Sequence, residues 1–332
     1  MRYRRLGSTD MNVSVLCLGG WQVGDYQAYD HERREVTSML RRAVELGVNF
    51  FDTAHWYGEG HSEEILGEAL APVREKVYIS TKVGLHRIDG VGYRDSRPER
   101  IRTHIDGALK RLRTDYVDLY LIHWPDPLVP YEESWAAMCD VLKSGKARYI
   151  GVSNYNVEQL QRSLSVGPVH AHQPCYHMLR RHHDEDLLPF CEEHGIGVFP
   201  YGPLAHGLLA GRYTPERPPA WPANDWRWSM PIFQGEGYLA CARAVQELSQ
   251  VAKECGFTMA QLAIAWCLQQ RGIDSVIAGA YTVEQLDELA GACDRDIPSE
   301  AMAKIEEILR RTPSYRDLGG SDDVGGNNIR PS

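Results

Sequence analysis

A closed (β/α)8 barrel is the α/β fold class that this sequence predicts, and three observations predict it. Eight short apolar runs recur along the chain, amphipathic segments of helical spacing separate them, and 332 residues is roughly barrel length. The runs are VSVLCLG (13–19), VNFFD (48–52), VYISTKV (77–83), VDLYLIH (117–123), ARYIGVS (147–153), VHAHQPCY (169–176), IGVFPY (196–201) and DSVIAGA (274–280). A doubly wound sheet fits the same alternation, and the count of eight favours the barrel.

The intervening segments justify themselves in order. EVTSMLRRAVELG, SEEILGEALAPV, RPERIRTHIDGALKRLR, YEESWAAMCDVLKSG, VEQLQRSLSVG and DLLPFCEEHG repeat apolar residues three or four apart, and a longer helical region runs from about 238 to 271. Gly47, Gly145 and Gly195 stand where a left-handed helix stop is needed. The pairs Ser96 with Glu99 and Thr282 with Gln285 have capping-box spacing. Residues 2–12 read as a short hairpin on the barrel floor. No Gly/Ser linker interrupts the alternation, so residues 1–332 read as one domain, with a C-terminal helix before a polar, Gly-rich tail over 311–332 that composition marks as flexible. Residues 212–237 form a long loop after strand seven, rich in Pro and holding Trp221, Trp226 and Trp228; a loop of that length inside a compact domain is usually a lid or a binding loop.

The composition is globular, 43% hydrophobic and 24% charged, with a net charge of −9. That acidity argues against a nucleic-acid partner or an anionic membrane surface. The charged opening MRYRRLGSTDM has no apolar core of a signal peptide, and no run reaches the ~20 apolar residues of a membrane span. Eight cysteines without ligand-like spacing read as reduced core thiols of a cytoplasmic protein.

Four polar residues stand where three successive apolar runs meet their loops: Asp52, Tyr57, Lys82 and His123. Barrel chemistry takes place at the C-terminal ends of the strands, so these side chains would share one rim. Each alone has a structural explanation; together a carboxylate, a phenol, an ammonium and an imidazole form a proton-transfer set. A phenol titrates near ~10 and an adjacent ammonium lowers that value, making a better acid. The carboxylate holds the ammonium, and a neutral imidazole donates a hydrogen bond to a substrate oxygen. With no paired serine or cysteine nucleophile, proton donation to a carbonyl oxygen is the natural task, and a hydride donor is the partner it lacks.

These residues, in this order, resemble the aldo-keto reductase family. DTAHWYG is similar to its strand-two motif, and the likeness continues in GKARYIGVSNY (145–155), HQPCYHMLRR (172–181), LLPFCEEHGIGVFPYGPLAHGLLAGRY (187–213) and VIAGAYTVEQLDEL (276–289), spanning Leu6 to about Leu309. The resemblance implies a nicotinamide cofactor, NADP(H) by default with NAD(H) possible, bound without a dinucleotide fingerprint. It implies that Ser153, Asn154 and Gln173 hold the carboxamide and that Tyr201 stacks on the ring. Gly202, Leu204, Gly207, Leu208 and Arg212 would meet the pyrophosphate; Gly279, Ala280, Tyr281, Thr282, Gln285 and Glu288 would surround the adenosine end. The stretch Gly58 to Glu63 half-resembles a dinucleotide fingerprint and lacks its third glycine. The chain departs from related sequences at Tyr281, where an arginine or lysine commonly binds a 2′-phosphate, at Leu289, commonly asparagine, and at Ala278, commonly proline. The missing cation weakens a preference for NADPH.

The implied substrate is a small carbonyl compound or the corresponding alcohol. Trp21, Trp56 and Trp124 follow strands one, two and four and suggest an apolar or ring-stacking pocket wall, over which the tryptophan-rich loop is placed to close. Two other readings stay open. The family includes channel-associated subunits that keep the fold and cofactor, so a nucleotide-binding regulatory subunit is one. The other is a metal-dependent barrel hydrolase using His170, His172 and the His182-His183-Asp184 cluster.

Overall fold

The computed structural model describes residues 1–25, 32–321 and 328–329. Its centre is one curled sheet of eight parallel strands: β1 (Leu16–Gly19), β2 (Phe50–Asp52), β3 (Tyr78–Val83), β4 (Val117–Ile122), β5 (Ala147–Ser153), β6 (Ala171–Gln173), β7 (Gly197–Val198) and β8 (Val276–Ala278). The strands bond side by side in chain order from β1 to β7, with β8 on the far side of β1. Parallel bridges from Val198 to Ile273 and from Tyr201 to Ile277 join β7 to β8, so the sheet curls into a barrel. The amide of Ile277 donates to the Pro200 carbonyl at 2.9 Å across that seam.

The hairpin on the floor pairs Tyr3–Arg5 with Asn12–Ser14. Its Leu6, Met11 and Val13 fill the barrel interior with Cys17, Phe50, Leu119, Leu121 and Phe199, all fully buried. A plug of this kind closes the bottom to water and leaves the top as the place for chemistry. The run over 13–19 therefore divides: Val13 and Ser14 pair within the hairpin, and the barrel strand begins at Leu16. Gly7 is required here, because a Cβ on it would meet the Gly197 amide at 2.3 Å.

The outer layer consists of α1 (Arg33–Glu45), α2 (His61–Leu70), α3 (Pro98–Leu112), α4 (Tyr131–Lys143), α5 (Val157–Leu164) and α6 (Leu187–Glu193). After β7 come α7 (Gly235–Glu254) and α8 (Met259–Leu268), and after β8 come α9 (Val283–Ala290) and the C-terminal α10 (Ser299–Arg310). Of these, α3 buries Ile101, Ile105, Ala108 and Leu112, the spacing of one helical face. Gly47, Gly145 and Gly195 take the expected positive φ of 86°, 76° and 65°. Thr282 caps α9 by accepting from the Gln285 amide, although Gln285 returns its bond to the amide of Tyr281. The cap expected at Ser96 does not form. Pro98 opens α3 after Arg97, while Ser96 is drawn to Asp126 and Ser134.

One element was not anticipated. After β3 the chain forms a hairpin, Leu85–Ile88 with Val91–Arg94, around Asp89 and Gly90 at φ 50° and 78°. An Asp-Gly pair between short apolar runs is the signature of such a turn. Asn328–Ile329 adds a parallel pairing to Tyr93 and Arg94. Of the C-terminal stretch, 311–321 is described and Tyr315 is buried there, its amide bonded to the Leu179 carbonyl at 2.7 Å. Residues 322–327 and 330–332 lie outside the described residues. Among the described residues, no helix is long and apolar enough to cross a membrane.

Burial leaves several histidines neutral. Burial and then Arg111 hold His55 down to about 4, and burial with the neighbouring His55 holds His104 at about 3. Burial holds His172 at about 4 against the help of the Tyr155 carbonyl. Unfolding frees these rings to titrate near 6.5, so the unfolded chain takes up protons that the folded chain refuses. Stability should therefore fall as pH drops from about 6.5 toward 4. Urea midpoints at pH 7.5, 6 and 5 check this; an unchanged midpoint would contradict it.

Candidate active site

Strand register brings the expected residues together. Gly19, Asp52 and Ser80 lie side by side across β1, β2 and β3, and Lys82 pairs with Leu121 between β3 and β4. Asp52 ends β2 as expected, while His123 stands one residue past β4, its amide bonded to the Val83 carbonyl at 2.8 Å. Tyr57 is carried back over the rim by a 3-10 turn, Tyr57–Gly60, in which Gly58, Glu59 and Gly60 all take positive φ. The two glycines of the apparent nucleotide fingerprint thus serve a turn that aims the phenol.

Lys82 is the hub. Its Nζ donates to Asp52 Oδ2 at 2.5 Å, to the Thr53 carbonyl at 2.9 Å and to the Tyr57 hydroxyl at 3.2 Å. The Tyr57 and His123 rings meet edge to face, with centroids 5.7 Å apart. Asp52, Lys82, Tyr57 and His123 are all buried. Burial pulls the Lys82 ammonium down while the Asp52 charge holds it up. Burial, then the proximity of Lys82, keeps His123 well below its ordinary value, so the imidazole is neutral. One expectation is corrected: burial, and then the Asp52 charge, raise the Tyr57 phenol rather than lowering it. Lys82 is paired, so Asp52 offsets the field that would have acidified the phenol. Tyr57 is consequently a protonated donor at neutral pH.

A buried scaffold keeps the rim in place. The Gly20 amide donates to the Asp52 carbonyl, Thr53 Oγ1 to Ser62 Oγ at 2.8 Å, and Ser62 Oγ onward to the Gly20 carbonyl at 2.8 Å. Glu63, fully buried, accepts from Thr81 Oγ1 at 2.6 Å and from Arg111 at 2.7 Å, fastening α2 to β3 and α3.

The residues expected at the nicotinamide form a linked row beside this set. Gln173 Nε2 donates to Asp52 Oδ1 at 2.9 Å, Ser153 Oγ to the Gln173 carbonyl at 2.7 Å, and Asn154 Nδ2 to the His123 carbonyl at 2.9 Å. The Tyr201 hydroxyl donates to Asn154 Oδ1 at 2.8 Å. Beyond Tyr201 the backbone turns left-handed at Gly202, Ala205, His206, Gly207 and Gly211, around Leu204 and Leu208. Within this run the amides of Ala205, Gly207, Leu209 and Gly211 donate to the carbonyls of Gly202, Leu204, Leu204 and Leu208. Arg212 follows, exposed. Gly279 and Ala280 lead from β8 into the α9 N-terminus, with Tyr281, Thr282 and Gln285 half-buried and Glu288 exposed. Gln22 was missed by sequence reasoning: a Cβ on Gly279 would strike its side chain at 2.0 Å, so the segment after β1 presses on the backbone expected to meet the adenosine end. No motif marks Gln22.

The tryptophans divide. Trp21 stacks on Tyr57 at 5.8 Å, and Trp226 of the long loop stacks on Trp21 at 6.0 Å and meets His206 edge-on at 5.0 Å. The rest of that loop packs on itself, Trp221 against Trp228, Phe233 and Tyr213. Trp124 is buried in a cavity wall next to His123, while Trp56 lies under the Arg87 guanidinium at 4.7 Å. His170 and His172 bond the Ile150 and Tyr155 carbonyls, and among the described residues no group of three or more His, Cys, Asp or Glu is placed to hold a metal.

A barrel whose rim gathers this set defines a class, the oxidoreductases of carbonyl and alcohol groups, and comparison with known proteins agrees. The model of the aldo/keto reductase family matches residues 15–310, and the chain belongs to that family. It is 35% identical to aldo-keto reductase YhdN of Bacillus subtilis, over 95% of each chain. It is also 35% identical to a probable voltage-gated potassium channel subunit beta of Oryza sativa, covering 95% of this chain and all of that one. Among solved structures it is similar to the glycerol dehydrogenase AKR11B4 from Gluconobacter oxydans, with a TM-score of 0.87 and 31% identity over 99% of this chain and 98% of the other. The protein is an NAD(P)H-dependent oxidoreductase acting on carbonyl and alcohol groups.

Gly58 is the backbone position on which Tyr57 most depends. It sits at φ 63°, and a Cβ there would lie 2.5 Å from the Gly24 carbonyl oxygen. Gly58→Ala should cost about 1–2 kcal/mol from left-handed strain alone, more with the clash, and lower turnover by displacing the phenol. Thermal melts and steady-state kinetics together check this; a variant with unchanged kcat and Tm would contradict the role of the turn.

Proposed function

We propose that Asp52, Tyr57, Lys82 and His123 are the catalytic residues of a reductase of small aldehydes or ketones, running also toward alcohol oxidation. The observation that carries this reading is the Lys82 hub, bonded to both Asp52 and the Tyr57 hydroxyl in a buried site. The substrate carbonyl oxygen sits between the phenol and the neutral imidazole, each offering a hydrogen bond. Tyr57 gives its proton to that oxygen as negative charge develops there. Lys82 then faces the phenolate and stabilises it, while Asp52 keeps Lys82 charged against its burial.

Ser153, Asn154 and Gln173 fit a carboxamide by chemistry, since together they present donors and acceptors in one row. Tyr201 offers a ring face, the turn over 202–211 borders it, and the α9 N-terminus offers amides to phosphates. When bound, the nicotinamide supplies a hydride to the carbonyl carbon. Trp21 and Trp226, stacked beside Tyr57, shield that face from water and favour an apolar or ring-bearing substrate wall.

NADPH remains the default cofactor by resemblance, and NADH is also expected to serve, because Tyr281 supplies no cation at the station that resemblance gives to a 2′-phosphate, while Arg212 stands exposed at the base of the long loop. The eight free cysteines, seven of them buried, suit a reducing compartment, which supports a cytoplasmic location. One relative is a probable channel subunit, so a regulatory role is the second reading; the intact bonded set beside a built acid favours turnover.

Tyr57→Phe should lower kcat about 10²–10⁴-fold while cofactor affinity changes less than about threefold. Loss of nicotinamide absorbance over a panel of carbonyl compounds, with NADPH and NADH in parallel, reads the first quantity. Fluorescence titration reads the second. Wild-type turnover by Y57F would overturn the assignment of the acid.

A further inference from the structure

Asn154 stands one residue past β5, and its side-chain amide is spent mostly on the protein itself. Nδ2 donates to the His123 carbonyl at 2.9 Å and to Ser153 Oγ at 3.0 Å, and Oδ1 accepts from the Tyr201 hydroxyl at 2.8 Å. A carbonyl only accepts, and Ser153 Oγ already gives its proton to the Gln173 carbonyl, so the amide has one orientation that satisfies all of them. Three of its four bonding positions are thereby filled within the chain.

Both partners are held from their other sides as well. His123 is fixed through its amide, which donates to the Val83 carbonyl at 2.8 Å. Tyr201 is fixed through its backbone, bridged to Cys175 and to Ile277, with its amide bonded to the Pro174 carbonyl at 2.9 Å. Its far end, the hydroxyl, is the end that Asn154 holds. A ring anchored at both ends has little freedom to tilt. Asn154 reaches Tyr201 and His123 together from a left-handed backbone, at φ 62°, a conformation that asparagine tolerates better than most side chains. Backbone of this kind, outside glycine, gathers at functional sites.

We propose that Asn154 is a positioning residue whose amide sets how far the Tyr201 ring face stands from His123, the two surfaces between which nicotinamide and carbonyl have to meet. The inference rests on the reductase reading above and deepens it. In that reading Tyr201 locates the hydride donor and His123 helps to locate the acceptor, and Asn154 is bonded to both. Tyr57 also stands within electrostatic reach of Tyr201, so the ring, the acid and the imidazole share one short span. Misplacing reacting groups by about 1 Å can cost on the order of 10²-fold in rate, so a side chain that fixes this span acts on turnover without touching the reacting atoms. Two accounts compete: a purely structural tie between β4 and β5, and a plain contact to the carboxamide.

The test uses Tyr201→Phe, which keeps the ring and deletes only its hydroxyl, and Asn154→Gly, which deletes the amide and keeps the left-handed backbone without strain. Single-turnover traces with NADPH or NADH, whichever the wild type oxidises faster, and with its 4-deuterated form isolate the isotope-sensitive step. Fluorescence titration reads the affinity for the same cofactor, and thermal melts of the cofactor-free enzyme read the bond itself. Each single change should slow the isotope-sensitive step about 10–100-fold, and the double variant should be no more than about threefold slower than the slower single. Cofactor affinity of Tyr201→Phe should stay within about threefold, because the ring face remains. In the cofactor-free enzyme Tyr201→Phe should lower Tm by about 2 °C alone and by less than about 1 °C in the Asn154→Gly background. Rates that multiply in the double variant, or a wild-type isotope-sensitive step in Tyr201→Phe, overturn the positioning role and leave the reductase intact. Losses confined to cofactor affinity do the same, since a plain carboxamide contact predicts them. Reduction of no carbonyl by the wild type overturns the reductase reading, and this inference with it.

Discussion

The buried ion pair between Lys82 and Asp52 is the interaction on which the rest of the site depends. A lysine almost without solvent contact would lose its proton, or unfold the barrel end, unless a carboxylate faced it. Asp52 does so at 2.5 Å, and it is itself held by Gln173, so three strands are fastened at one point. Everything above this pair inherits its geometry. Tyr57 rests on Lys82 Nζ, and His123 faces Tyr57 and stays neutral partly because a cation lies close by. The floor plug below it, packed with Leu6, Met11, Phe50 and Phe199, excludes the water that would otherwise weaken the pair.

The pairing also explains why acidity runs opposite to a simple reading of neighbours. An ammonium beside a phenol lowers its pKa only if its charge is uncompensated. With Asp52 so close, the phenol sees a near-neutral pair in an apolar pocket, and burial decides the direction. That arrangement suits a proton donor to a carbonyl oxygen. The same barrel end carries an aromatic side built by Trp21 and Trp226.

Much of this was legible in the sequence because period and rim placement are local signals. Eight apolar runs matched the strand count, and Asp52, Lys82 and His123 at the ends of three of them marked the candidate site, since a parallel barrel delivers every strand end to one face. What escaped depends on tertiary approach. Ser96 has capping spacing, yet Asp126 and Ser134 compete for it from another loop. Gln22 touches Gly279 only because two loops distant in sequence meet. The hairpin after β3 is different: its Asp89-Gly90 pair between short apolar runs is a turn signal local to the sequence.

The most direct test of the central claim is a double-mutant cycle on unfolding free energy at pH 7, with Asp52→Asn, Lys82→Met and the combined variant. Either single change leaves a buried charge without its partner and should cost about 3–5 kcal/mol. The combined variant removes both charges, so its cost should fall short of the sum by at least ~2 kcal/mol. Costs that add to within ~0.5 kcal/mol would contradict the claim that one buried pair organises the site.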